Sequence, residues 1–230
     1  VDPVVLDLHA VHNSRARGKN VRAFQQRVAP GAHLAGRLIT IGVTGGIAAI
    51  EAPRLARQLR RLGASVQAMM TPAAEKIITP AVMEWATGRP VVSDISGKVE
   101  HLSREDAFIV YPATLNTISK IACGIADNSV TTAVASAWGP GIPIMVVPAM
   151  HLSLYRNPAF QKHLKTLEES PNFFLVPPRV EEGKAKVASF DTIPTLLRRA
   201  LSQSSLQGKK ILITGGPTRA NLDAFRYLSN

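Results

Sequence analysis

The sequence holds a single cysteine, Cys123, among its 230 residues. One thiol excludes an intramolecular disulfide framework and suits a reducing compartment. Aromatic residues are few, at 5%. Alanine, glycine and β-branched residues are abundant instead, a balance that suits helices layered on parallel strands. Long apolar runs are also missing. The longest, such as IPIMVVPAM at 142–150, fall well short of the roughly 20 residues a spanning helix needs. Nor do the first residues contain the apolar core of a secretory leader. These absences predict a cytoplasmic protein with no membrane partner. Acidic residues are outnumbered: 16 Asp and Glu against 27 Lys and Arg give a formal charge of +11. Such an excess raises the question of nucleic acid. Much of it lies in Arg15, Arg17, Lys19, Arg22 and Arg27, and on one helix face at Arg54, Arg57, Arg60 and Arg61. No aromatic residues interleave with these as a stacking platform requires. They read as a solvated face or a site for anionic small molecules, with no nucleic-acid partner.

What is present is alternation. Hydrophobic residues make up 46% of the chain, enough for one substantial core. Residues 1–37 show no sustained apolar period and form an N-terminal extension. From Leu38 to Val43 the pattern is a buried strand. Glycines break it, and Ile47, Ile50, Leu55, Leu59 and Leu62 then recur at helical spacing. Gly63 ends that helix, and Val66 to Met70 form the next strand. Further strands are expected in DAFIVYPAT, IPIMVVPAM and NFFLVPP, with helices around 116–125, 129–138, 158–169 and 191–203. Short crossovers between strands imply parallel pairing. The fold class is therefore α/β: a doubly wound, mainly parallel, Rossmann-like sheet over residues 38–205. Residues 206–230 then form a linker-like stretch and a last strand, in KKILITGGPTR, with its own glycine turn.

In such sheets ligands bind beyond the carboxyl ends of the strands. Three strand ends carry suitable residues. In GVTGGIAA, Gly45 and Gly46 let backbone approach a ligand, and the helix start at Ile47 and Ala48 offers N–H groups to a phosphate. In VYPATLNTISK, Pro112 ends the strand. Thr114, Asn116 and Thr117 then place three short hydrogen-bonding side chains at a helix start, more than one cap needs. In VPAMHLSLYRNP, His151 follows Pro148, Ala149 and Met150 where the chain leaves a strand. The glycines do not have the spacing of a dinucleotide fingerprint, and Met70 and Thr71 stand where an acidic residue would hold a ribose. A mononucleotide fits better.

GVTGGIAA, HLSREDAFIVYPATLNTISKIACGIADN and VPAMHLSLYRNP, in that order, resemble the flavin-containing cysteine decarboxylase family. Its members include phosphopantothenoylcysteine decarboxylases, halotolerance flavoproteins and lantibiotic decarboxylases. The tail from Lys209 looks like the opening of the phosphopantothenoylcysteine synthetase domain that follows the decarboxylase in bifunctional relatives; only about its first strand and loop are present. The resemblance implies FMN as cofactor, with its phosphate at Gly45, Gly46, Ile47 and Ala48. It implies further flavin contacts at Thr71, Thr114, Leu115, Asn116, Thr117 and Ala149. It makes His101, His151 and Asn116 the catalytic candidates, with His101 matching the family's histidine. No metal is implied. The substrate would be a cysteinyl small molecule such as 4′-phosphopantothenoylcysteine, oxidised and decarboxylated at a flavin held between subunits of a homotrimer or a multiple of one.

Two departures set this chain apart. His151 replaces the asparagine that grips the substrate carboxylate, with Leu154 where methionine is usual. The stretch VPPRVEEGKAKVASFD lacks the cysteine that relatives carry on a flap. Cys123, in KIACGIADN, reads as a packed residue inside a helix. A catalytically impaired or regulatory FMN-binding subunit, or a flavin prenyltransferase-like protein, are the alternatives.

Overall fold

The computed structural model describes residues 33–96, 104–188 and 191–202, with 210, 212, 219–221, 223 and 226–229 beyond them. The central sheet joins β1 (Leu38–Val43), β2 (Ser65–Met70), β3 (Ala107–Ala113), β4 (Ile144–Pro148) and β6 (Phe173–Leu175) in the order β2-β1-β3-β4-β6. Every pairing in it is parallel. The expected doubly wound α/β sheet is therefore present. Buried on both sides, its strands show continuous apolar runs whose alternate residues enter opposite cores. In β3, Ile109 and Tyr111 join one cluster, while Phe108 and Val110 join the other.

Helices cover both faces. α1 (Ala52–Arg61), α3 (Pro80–Thr87) and α8 (Thr192–Leu201) supply Leu55, Leu59, Met83, Ile193 and Leu197 to the first cluster. α4 (Leu115–Ala122), α5 (Ser129–Trp138) and α7 (Pro158–Glu168) supply Ile118, Val130, Val134, Phe160 and Leu164 to the second. The one-turn α2 (Pro72–Glu75) follows β2. Neither α2 nor α3 is evident in the apolar spacing, because both are short and open on a proline after a threonine cap.

The helix expected from Ile47 onwards differs from its pattern. Residues Ile47–Glu51 form a 3-10 turn, and only then does α1 begin. That turn leaves Ile47 77% and Ile50 56% exposed, so Ala49, Ala52 and Ala56 take the core positions beside Leu55 and Leu59. β3 also runs through Pro112 to Ala113 rather than stopping at the proline.

A second sheet, absent from the sequence reading, joins β5 (Met150–His151), β8 (Lys184–Lys186) and β7 (Arg179–Glu181) in antiparallel order β5-β8-β7. Its turn uses Glu182 and Gly183 at φ of 52° and 70°, the left-handed pair that a tight hairpin demands. A four-residue helix, α6 (Leu152–Tyr155), follows β5. In the tail, β9 (Arg219–Asn221) and β10 (Tyr227–Ser229) pair antiparallel with each other and form a sheet of their own. Most of KKILITGGPTR lies outside the described residues. Among the described residues, no helix is long and apolar enough to cross a membrane.

The start of β1 is tied to β3 by Asp106. Its carboxylate accepts from the Leu38 N–H at 2.8 Å and from Arg37 at 2.6 Å, while its own N–H donates to the Leu38 carbonyl. Partial burial works to raise the carboxyl's pKa, but the Leu38 and Arg37 donors outweigh it and hold the group below its ordinary value. A lowered native pKa means stability fully present above the ordinary carboxylate range and lost as pH falls through the native value. In urea titrations at neutral pH, Asp106→Ala should be roughly 1 kcal/mol less stable than wild type. That gap should close in strongly acidic buffer; a gap independent of pH would show that the carboxylate's charge contributes nothing.

Candidate functional site

Parallel pairing brings the carboxyl ends of β1, β3 and β4 to one edge of the sheet, and local hydrogen bonds lock their loops together. Thr44, fully buried, donates its hydroxyl to the Pro112 carbonyl at 2.6 Å and accepts from the Thr114 N–H at 3.3 Å. The Ala149 N–H donates to the Ala113 carbonyl at 3.0 Å. One side chain and one backbone bond thus hold all three loops in register.

The result is a cavity of about 760 Å³, within the roughly 300–1,000 Å³ typical of ligand sites. Gly45, Gly46, Ile47 and Ala48 form one wall, Thr114, Leu115 and Asn116 a second, and Ala149, Met150, His151 and Leu154 a third. The β7–β8 hairpin supplies the last wall through Arg179, Lys184, Ala185, Lys186 and Val187. It is docked by β5, with His151 directly opposite Lys184, and by the Leu152 N–H donating to the Gly183 carbonyl at 3.0 Å.

Most of the expected site residues meet here. Thr71 and Thr117 do not line the cavity. Thr71 caps α2, its hydroxyl accepting from the Ala74 N–H at 3.2 Å. Thr117 is buried and accepts from the Thr114 hydroxyl at 3.1 Å. Of the three polar residues opening α4, then, Thr114 and Asn116 face the cavity while Thr117 supports the cap. His101 lies outside the described residues. The hairpin's cationic residues were not anticipated, although the Glu-Gly pair between RVE and KAK is a readable turn signal. Cys123 corrects its sequence reading. It is the exposed C-cap of α4, not a packed interior residue, and its Sγ lies 3.9 Å from His163 Nδ1. Among the described residues, no cluster of three or more His, Cys, Asp or Glu side chains could hold a metal.

The site suits a ligand with an apolar body and an anionic group. The 3-10 turn at Ile47 has no side-chain cap, so its first N–H groups are not satisfied by a neighbouring side chain. Leu115, Met150, Leu154 and Val187 provide apolar surface, and Arg179, Lys184 and Lys186 provide positive charge.

A flavoprotein family model matches residues 28–202, spanning all three walls and the hairpin. The chain belongs to the flavoprotein family. This flavoprotein is 46% identical over 204 residues to the coenzyme A biosynthesis bifunctional protein CoaBC of Thermococcus kodakarensis, covering 86% of this chain and 50% of that relative. It spans about half the length of the curated relatives it matches. The FMN-dependent cysteine decarboxylase SpaF superposes with a TM-score of 0.65 at 27% identity, covering 73% of this chain and 99% of that one. A mutant PPC decarboxylase complexed with pantothenoylaminoethenethiol shares the fold, with a TM-score of 0.59 at 23% identity over 71% and 97% of the two chains.

The two loop glycines are under different constraints. A Cβ on Gly45 would stand 2.5 Å from the Ala73 Cβ, whereas on Gly46 its nearest neighbour would be Thr114 Cγ2 at an ordinary 3.4 Å. Gly45→Ala should therefore lower stability by about 1–3 kcal/mol and Gly46→Ala by less than about 1 kcal/mol, by thermal or urea unfolding. Equal losses would mean that contact with Ala73 is not what requires glycine at 45.

Proposed function

We propose that this flavoprotein binds FMN in the 760 Å³ cavity and decarboxylates a cysteinyl substrate, 4′-phosphopantothenoylcysteine. The observation that carries the reading is the convergence of the glycine turn, the Thr114–Asn116 helix start and the Ala149–His151 segment on one cavity. The residues fit the cofactor. The uncapped N–H groups at Ile47 and Ala48 would take its phosphate, while Thr114, Leu115, Asn116 and Ala149 would lie along its ring. FMN, when bound, supplies the two-electron acceptance that activates the cysteinyl end toward loss of CO2. The protein's part is placement and charge. His151 and Lys184, opposite each other across β5 and β8, would hold the substrate carboxylate by charge-assisted hydrogen bonds. The Asn116 amide would orient the reacting end, and apolar Leu115, Met150 and Leu154 would keep water from it. His101 would serve as acid or base.

One observation favours a second reading. The hairpin over the cavity carries no cysteine, and Ala185 and Val187 face inward instead. A binding subunit that holds FMN without turnover is consistent with that.

Purified protein should show a bound-FMN absorbance spectrum and release CO2 from 4′-phosphopantothenoylcysteine. His151→Ala should raise KM about tenfold by removing one charge-assisted contact, and His151→Asn should recover most of it. Protein that cannot be reconstituted with FMN sinks the reading; FMN retained without CO2 release selects the binding subunit.

The assembly is read as a homotrimer or a multiple of one. Ile47, which lines the cavity, is 77% exposed, and Ile50, three residues on, is 56% exposed and shares a neighbouring cavity with Trp85, itself 65% exposed. Apolar surface at the mouth of a cofactor cavity suits burial by a second copy. Light scattering should give a mass in multiples of three; a monomer that retains FMN tightly would rule this assembly out.

A further inference from the structure

The basic stretch of α1 does not act as one face. Arg57 lies over the Trp85 ring, 4.7 Å from its centroid, and Arg60 donates to the Ala86 carbonyl at 2.9 Å. Arg54, Gln58 and Arg61 are spaced four and three residues apart, and Arg54 and Arg61 also border Arg57 and Trp85 across a smaller cavity. All three line a second cavity of about 570 Å³, closed by Glu51 on the preceding turn and by Arg179, Val187, Ala188 and Asp191 across from it. Arg179 and Val187 line both this cavity and the one at the glycine turn, so the two adjoin at the base of the hairpin.

Two features give the second cavity chemical character. The guanidinium groups of Arg54, Arg61 and Arg179 line it together with the carboxylates of Glu51 and Asp191, and Arg179 is itself paired with Glu181 at 3.3 Å. Two buried polar atoms also have no hydrogen-bond partner: Gln58 Oε1, on a side chain in its wall, and Tyr111 Oη, on a core side chain that does not line it. Burial drives the Tyr111 hydroxyl's pKa far up. The charges that then act on it are Glu51, Arg54 and Arg179, all of them cavity residues. A buried polar group left unpaired is costly, so an unpaired atom on a cavity-wall residue points to a ligand that completes it.

We propose that this second cavity receives the phosphate-bearing tail of the substrate whose cysteinyl end lies in the adjoining one. The inference rests on the FMN-dependent decarboxylase reading above and extends it to substrate selection. Arg54 and Arg61 present planar forks suited to phosphate oxygens. Gln58 Oε1 takes a hydrogen bond from an amide or hydroxyl of the connecting chain. Arg179, at the junction, also braces the hairpin, with Nε donating to the Val187 carbonyl at 3.1 Å and Nη1 lying 3.3 Å from Glu181. Its substitution would disturb both cavities, so the test uses α1.

In the FMN-loaded protein, kcat/KM is measured for 4′-phosphopantothenoylcysteine and for its dephosphorylated counterpart. The ratio of the two should fall about tenfold or more in the Arg54→Ala, Arg61→Ala double variant, through KM, and should also fall in Arg61→Glu. Arg57→Ala, whose side chain lies on Trp85, should keep the wild-type ratio. Thermal unfolding and the flavin spectrum verify that each variant is folded and loaded. A ratio that stays within about twofold of wild type in both cavity variants overturns the proposal, as does a wild type that does not prefer the phosphorylated compound. In either case, retained FMN and CO2 release leave the decarboxylase reading standing. Wild-type protein without FMN or CO2 release defeats both.

Discussion

Parallel register across β1, β3 and β4 is the constraint on which the site depends. Gly42 pairs with Val110, and Val110 with Val146, so the three strands leave the sheet side by side. Because β2 lies on one side of β1 and β3 on the other, chain direction across the sheet reverses there, and a crevice opens at that point. Into it come residues from 45–48, 114–116 and 149–151, far apart along the chain. Thr44 refines this convergence, since its buried hydroxyl fastens the glycine turn to the end of β3. An alanine there would leave the Pro112 carbonyl without that donor.

The hairpin obeys different physics from the sheet. Its surface is charged, with Lys186 bonded to Glu181 at 3.2 Å and to Glu182 at 2.9 Å. Those partners, Glu182 foremost, raise the Lys186 pKa, and the same lysine lowers that of Glu182. Exposed pairs of this kind contribute little stability. The hairpin is held instead by two residues of β5 pairing and one bond to α6. It therefore belongs to the weaker end of the fold's local stabilities, as covers of binding sites commonly do. The apolar layers beneath it are the stronger part, with Phe108, Tyr111 and Phe160 wholly or almost wholly enclosed.

Legibility followed burial. Strands buried on both faces must be apolar throughout, and β1, β3 and β4 were readable for that reason. Helices packed along most of their length, such as α5 and α7, were placed to within a residue or so. Failures came where local geometry interrupts periodicity. The 3-10 turn at Ile47 has a different pitch from α1, so residues in phase by sequence are out of phase in space, and Ile47 and Ile50 turn outward. Thr117 looked equivalent to Thr114 and Asn116, yet one side of a helix start must face the core, and Thr117 is on it. The C-cap position of Cys123 likewise depends on where α4 ends, one turn before apolar spacing alone would stop it.

By itself, the sequence determined the alternation of strands and helices, the glycine turn and the motifs after β3 and β4. Each of these is a short-range pattern set by side-chain size, polarity and spacing. Only the tertiary structure decided that the hairpin returns to place Lys184 opposite His151. It alone set Arg57 over Trp85, tied Arg60 to the Ala86 carbonyl and brought Arg54 and Arg61 into the wall of a second cavity. The reason is distance along the chain. Residues 54 and 179 become neighbours through the packing of whole elements, and no local pattern encodes the angle at which two elements meet.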